Sequence, residues 1–393
     1  MGRRTGIEEL DGPSAGRRLP AYCRPLNDPD AFDVAIVGAR VAGTVLGTQL
    51  GEAGYRVLIV DSTTFPSDTV STHFFRGAGL GSVLVRLGIL EQVLALGSPP
   101  LTHQLDFGGE DVEPSVSGPQ DPGELGYGLS VRRVVLDQLL VDRARAVPGV
   151  EVLEGTHARS LVWDGDRVAG LVVEHAGATR EIHARLVVGA DGRRSAVARW
   201  VDAVVERREA ATRALYYRYV HGFGRLRPPM DAVEFSLAGD ELAYIFPSDS
   251  ELACVAVSIN LAAFAESRGA ADEHFDRRIG SHPGIAGRYA ASTKQGRLLG
   301  SGPVDSLIRT PSGPGWALVG DAAMNQDPWS GLGMDNAGMH ATFLADAIAD
   351  WLSGRSEEAT AFAAYRERRD EHALGGFDFT ANLGRDLRAL AGD

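Results

Sequence analysis

Three short clusters of glycine and aspartate carry most of the chemistry that can be read in the sequence. The first is Gly38-Ala39-Arg40-Val41-Ala42-Gly43, placed between an apolar run and a helix-forming stretch. Such a turn aims backbone N–H groups and the positive end of a helix at a pyrophosphate. Asp61 stands 23 positions after Gly38, near the spacing of about 20 at which an acidic side chain meets a ribose hydroxyl. The usual GxGxxG has glycine where this chain has Arg40, so that side chain either turns away from the phosphates or pairs with one. The second cluster, Gly189-Ala190-Asp191-Gly192, ends an apolar strand and delivers one carboxylate to the strand's carboxyl end, where open α/β sheets bind ligands. The third is Gly320-Asp321-Ala322-Ala323, followed by Asp327-Pro328 and Gly331-Leu332-Gly333 ahead of an apolar helix. It offers a carboxylate and, a few residues on, free N–H donors able to stabilise negative charge on a heterocycle.

Elements to position these groups are visible around them. Residues 33–37 and 55–60 are β-rich and flank a helical stretch, 41–53, which makes a βαβ unit with parallel strands. Helical spacing predicts helices over 78–96 and 134–146. Hairpins are expected at Gly165-Asp166 and Gly177-Ala178 by turn composition. Residues 214–221 and 232–260 alternate polar and apolar side chains and predict a separate antiparallel sheet. The fold class is α/β with a Rossmann-type domain and an antiparallel substrate sheet.

In this order and spacing the motifs resemble the FAD-dependent oxidoreductases of the para-hydroxybenzoate hydroxylase fold. That group includes aromatic hydroxylases, geranylgeranyl reductases and flavin halogenases. The segments Asp68-Thr69-Val70-Ser71-Thr72-His73 and Tyr244-Ile245-Phe246-Pro247, with the GDA-xxxx-DP pattern, are similar to one bacterial branch of it. The resemblance implies that Gly38, Ala39, Arg40, Val41, Ala42, Gly43 and Asp61 hold the ADP half of FAD. Arg76 and Arg133 would lie along the cofactor, the latter as the arginine of an R-x-x-[FL]-D element. Asp191 would lie at its edge, where relatives also use nicotinamide cofactors. Gly320 and Asp321 would meet the ribityl chain, while Pro328, Gly331, Leu332, Gly333 and Met334 would flank the isoalloxazine. Residues 31–100, 130–205 and 296–393 would form the FAD domain with its C-terminal helices, and 101–129 and 206–295 the substrate domain. Residues 1–30 read as a mobile extension.

Other chemistries lose ground. With 39 basic and 52 acidic residues, a net charge of −13 opposes binding to nucleic acid or anionic membrane. No run approaches the roughly 18 apolar residues of a membrane span, and two cysteines without CxxC spacing suit a cytoplasmic protein. Ten histidines show no HExxH spacing, so no metal is expected, and no GxSxG elbow occurs. Gly77-Ala78-Gly79-Leu80-Gly81 lacks the preceding apolar strand that a second dinucleotide loop needs. Met324 replaces the histidine of many aromatic hydroxylases, and the halogenase WxWxIP segment is absent. The preferred expectation is a monooxygenase that consumes NAD(P)H and O2 to hydroxylate or epoxidise a small apolar or aromatic molecule. A reductase of a C=C bond is the runner-up, and a non-catalytic FAD-binding protein is the alternative from another class. His73 and Tyr244 are the candidate catalytic side chains, although an exposed loop position is the ordinary expectation for His73.

Overall fold

The computed structural model describes residues 31–71, 73–107, 112–116, 125–224, 231–282 and 284–391. The extension expected at 1–30 and Thr72 of the DTVSTH segment lie outside them, as does Cys23. Strand Ala31–Val37 is buried along its whole length and runs parallel to Val57–Val60, joined through helix Val41–Glu52. Parallel neighbours Val150–Leu153 and Ala178–Gly189 extend the sheet on either side, and Trp316–Leu318 pairs in parallel with the latter. Continuous apolar strands suit this arrangement, because helices cover one face of the sheet and other chain segments the other. The twelve-residue strand Ala178–Gly189 serves two partners. Its first half closes an antiparallel hairpin with Arg167–His175, and its second half lies between Ala31–Val37 and Trp316–Leu318. Both expected hairpins form, with Gly165 and Gly177 in the left-handed conformation.

A second sheet has the order 293–301, 213–221, 252–260, 241–247, 232–238, 103–107, 112–116. It is antiparallel except where His103–Phe107 runs parallel to Ala232–Ala238. Strand Thr293–Ser301 belongs to this sheet, so the sequence division at 295/296 cuts through it. One face carries Leu215, Tyr217, Tyr219, Tyr244, Phe246 and Cys254 toward Trp329 and Phe74, as alternation along strands requires.

The helix expected over 78–96 is broken into a wide turn, Gly77–Gly81, and two five-residue pieces, Ser82–Arg86 and Leu90–Leu94. The cause is local. Gly79 departs from helical geometry (ψ −118°) where a Cβ would come within 2.2 Å of the Asp335 carboxylate, and Gly88 takes φ +69°. Helices Gly333–Leu352 and Glu358–Leu383 close the fold, the former against Val41–Glu52. No helix among the described residues is long and apolar enough to cross a membrane.

Candidate functional site

A cavity of about 710 Å³ runs from the glycine turn to the start of helix Gly333–Leu352 and touches all three motif clusters, a size within the usual range for a bound cofactor. At its first end, Gly38 adopts φ +111° and its missing Cβ would lie 2.4 Å from the Ala190 carbonyl oxygen. A Cβ on Gly43 would fall 1.8 Å from the Gly38 oxygen. Both glycines therefore let the turn tuck against the strand end, bringing Gly38, Arg40, Val41 and Ala42 to the cavity wall while Ala39 and Gly43 pack behind it. The Asp61 carboxylate accepts from the Ala39 and Thr63 N–H groups, each at 2.8 Å, and also lines the cavity. Arg40 turns away from the helix end. Its guanidinium pairs with Asp137 at 2.5 Å, and Arg133 binds the same buried carboxylate through Nε at 2.9 Å and Nη2 at 3.0 Å.

Asp191 and Asp321 both line the middle of the cavity but are held differently. Asp191 accepts from Ser195 Oγ at 2.5 Å and Ala196 N–H at 2.6 Å, so it shares the capping of the short helix Ala196–Trp200 with Ser195, the N-cap residue. Asp321 has a carboxylate with no hydrogen bond among the described residues, and its accessible surface opens into the cavity. Burial pushes its carboxyl above the ordinary range, while Arg133, Arg193 and Arg309 oppose the shift. Burial likewise raises Asp191, against the hydrogen bonds of Ser195, Ala196 and Val197. Asp327 is pushed up to about 6, again by burial.

At the far end Pro328, Gly331, Gly333 and Met334 line the wall. The first-turn N–H groups of the helix have no intrahelical acceptor, and a Cβ on Gly331 or Gly333 would meet nothing within 4 Å. A tight turn at one end, an unpartnered carboxylate in the middle and an open, donor-lined cradle at the other fit the extended shape and charge of FAD.

Several expected residues stand apart from the wall. Leu332 packs toward Gly376, and Gly320 against Ala42. Arg76 is half-exposed and binds the Asp335 carboxylate at 3.0 Å. Tyr244 donates to the Trp329 carbonyl at 2.7 Å within the aromatic core. His73 is fully buried, contrary to the exposed loop position expected for it. Its Nε2 is hydrogen-bonded to the Tyr219 hydroxyl, and its ring meets Tyr217 edge-on at 5.5 Å. Burial, with Arg133 and Arg132, holds this imidazole neutral by lowering its pKa well below the ordinary value. Asp137 closes the R-x-x-[FL]-D element quoted for Arg133, and its i+4 spacing suits the pair they form, but sequence reasoning assigned it no role of its own. Ser71, Phe74, Leu215 and Val304 also join the wall, and only tertiary contact could have revealed them.

The comparisons with known proteins agree with this geometry. The family model described as FAD binding domain matches residues 31–299. Menaquinone reductase of Mycobacterium tuberculosis is 31% identical over 343 residues, 82% of this chain and 77% of that protein. Digeranylgeranylglycerophospholipid reductase of Methanosarcina mazei is 27% identical over 327 residues, 81% of this chain and 75% of that protein. Among solved structures, the myxobacterial chondrochloren halogenase CndH superposes with a TM-score of 0.81 at 23% identity, covering 89% of this chain and 82% of its own. Pseudomonas aeruginosa PqsL in complex with 2-aminobenzoylacetate gives 0.77 at 24% identity, covering 92% and 99%. At those identities the structural likeness is one of fold. The chain belongs to the FAD-binding-domain family and is an FAD-dependent oxidoreductase with the para-hydroxybenzoate hydroxylase fold.

Proposed function

We propose that the protein reduces a carbon–carbon double bond in an apolar, isoprenoid-like molecule, with NAD(P)H as a transient reductant. The observation that carries this reading is the identity of the relatives: the menaquinone reductase, at 31% over 82% of the chain, and the digeranylgeranylglycerophospholipid reductases are all reductases by name. In this reading the Gly38–Gly43 turn and Asp61 would hold the ADP half of FAD, Arg133 its pyrophosphate, Asp321 the ribityl hydroxyls, and Pro328 with the Gly331–Met334 turn the ring. Bound there, the flavin supplies a two-electron carrier between the nicotinamide and a carbon centre. The first-turn amides of Gly333 and Met334 would stabilise negative charge at that end. Phe74, Leu215 and Val304 keep water from that end of the cavity. The names of these relatives move the runner-up from sequence ahead of the oxygenase.

Oxygen transfer from O2 remains a second reading, favoured by the same apolar wall of Phe74, Leu215 and Val304, since it needs water excluded more than it needs a proton donor. The deciding experiment offers menaquinone and geranylgeraniol to the FAD-loaded protein with NADH or NADPH, once without oxygen and once under labelled O2. Products carrying two added hydrogens under anaerobic conditions are expected. Labelled oxygen in the product, with no anaerobic reduction, would establish the oxygenase instead. FAD bound tightly with neither product formed would count for the non-catalytic role.

A further inference from the structure

Arg40 occupies a glycine position of the dinucleotide turn, and its side chain has a defined place. Asp137, fully buried on helix Arg133–Arg145, is shared between Arg40 and Arg133. The same Arg40 guanidinium reaches the Ser67 carbonyl at 3.4 Å and the Asp68 carbonyl at 3.3 Å, and lies 5.5 Å from the centre of the Phe65 ring. One side chain therefore joins three pieces of chain: the cofactor turn, the helix bearing Arg133, and the segment beginning at Phe65. The continuation of that segment, Thr69, Val70 and Ser71, forms part of the cavity wall. Two arginines share the one Asp137 carboxylate, and Arg40 and Arg133 both line the cavity. Charge-assisted hydrogen bonds of this kind, with one partner buried, are stronger and better oriented than neutral ones.

We propose that Arg40 and Asp137 form an ionic latch that retains the bound dinucleotide, closing segment 65–71 along it and holding Arg133 toward its pyrophosphate. The proposal rests on the FAD reading above. It assigns Arg40 and Asp137 as positioning residues: Asp137 acts through the two arginines, and Arg40 acts through the segment it fastens. The latch slows release more than it speeds entry, because its bonds must break before Thr69–Ser71 can move.

The test is Arg40→Gly, which restores the usual glycine fingerprint. If Arg40 were a tolerated surface group, this variant would bind FAD as well as the wild type or better. The latch predicts the opposite: FAD leaves at least about ten-fold faster, by the weight of charge-assisted hydrogen bonds, with a smaller change in the association rate. Both rates are read from flavin fluorescence on mixing and dilution. Arg40→Lys, which keeps the charge and loses the planar fork, should recover only part of the retention. Hydrogen exchange in segment 65–71 of the FAD-loaded protein should rise in Arg40→Gly. Unchanged FAD release would overturn the latch. So would a melting temperature of the FAD-free variant lowered enough to account for the loss, which would make the contact structural. A wild-type protein that binds no FAD would sink the FAD reading itself, and the latch with it.

Discussion

Asp191 and Asp321 are both glycine-flanked acids at strand ends, yet their hydrogen bonds assign them different work. The Asp191 carboxylate is spent on Ser195 and the amides that open helix Ala196–Trp200, whereas Asp321 faces the cavity unpartnered. Asp321→Ala should therefore weaken FAD binding by about 1–3 kcal/mol, the cost of leaving a ligand hydroxyl without its acceptor. Asp191→Ala should weaken it less and instead lower the melting temperature, since removing a cap costs about 1 kcal/mol. Fluorescence titration and thermal melts of the two variants check this; equal FAD affinities would refute the division of roles. The family resemblance already set the two acids apart, Asp321 at the ribityl chain and Asp191 at the cofactor's edge; the hydrogen bonds that occupy Asp191 were not legible, because they depend on how Ser195 and Ala196 are placed. The need for glycine at 38 and 43 was legible because so tight a turn constrains residue type directly. His73 was misplaced as exposed for the converse reason: its burial depends on Tyr217 and Tyr219, 144 and 146 positions away.

Helical periodicity located helices Val41–Glu52 and Arg133–Arg145 to within a residue or two, since both are regular and flanked by clear turns. It failed over 78–96, where the apolar pattern continues through a break imposed by a distant side chain. Asp335 of the long helix accepts from the Arg76 and Leu80 amides and from the Arg76 guanidinium, and occupies the space a side chain at 79 would need. Gly79→Ala should accordingly destabilise the protein by about 1–3 kcal/mol, as overpacking at a fixed contact does, although alanine is the better helix former. Urea unfolding measures it, and a neutral or stabilising result would show that Asp335 can move aside. Arg76 is thus tied to helix Gly333–Leu352, whose first turn lines the cavity.

His73, His340 and His282 are buried and titrate below the ordinary histidine value, His282 at about 4, with burial the leading cause in each. In the unfolded chain they take up protons as pH falls through about 6.5, while in the folded protein they stay neutral. The unfolded state then binds more protons, so each histidine should lower stability progressively below about pH 6.5, by up to about 1.4 kcal/mol per pH unit. Asp327, raised to about 6, works in the opposite direction at lower pH, because the folded state binds its proton first. His340→Leu isolates the histidine effect: its urea midpoint should change less than the wild type's between about pH 7.5 and about pH 5.5. Parallel curves would contradict a neutral His340. At the same scale, the chromophore released by heat should be FAD and not FMN, as chromatography will show, because the glycine turn and Asp61 have no partner in a cofactor lacking the adenosine half.

The central sheet assembles strands that begin at residues 31, 57, 150, 178 and 316, which has a consequence for biosynthesis. The glycine turn at Gly38–Gly43 is made first, and the strand leading to Asp321 and the cradle at Gly331–Met334 follow only after about three hundred more residues. A nascent chain therefore exposes an unfinished sheet edge beside Gly189 until Leu318 arrives to pair with it. Chaperones that shield open edges have their longest opportunity in that interval.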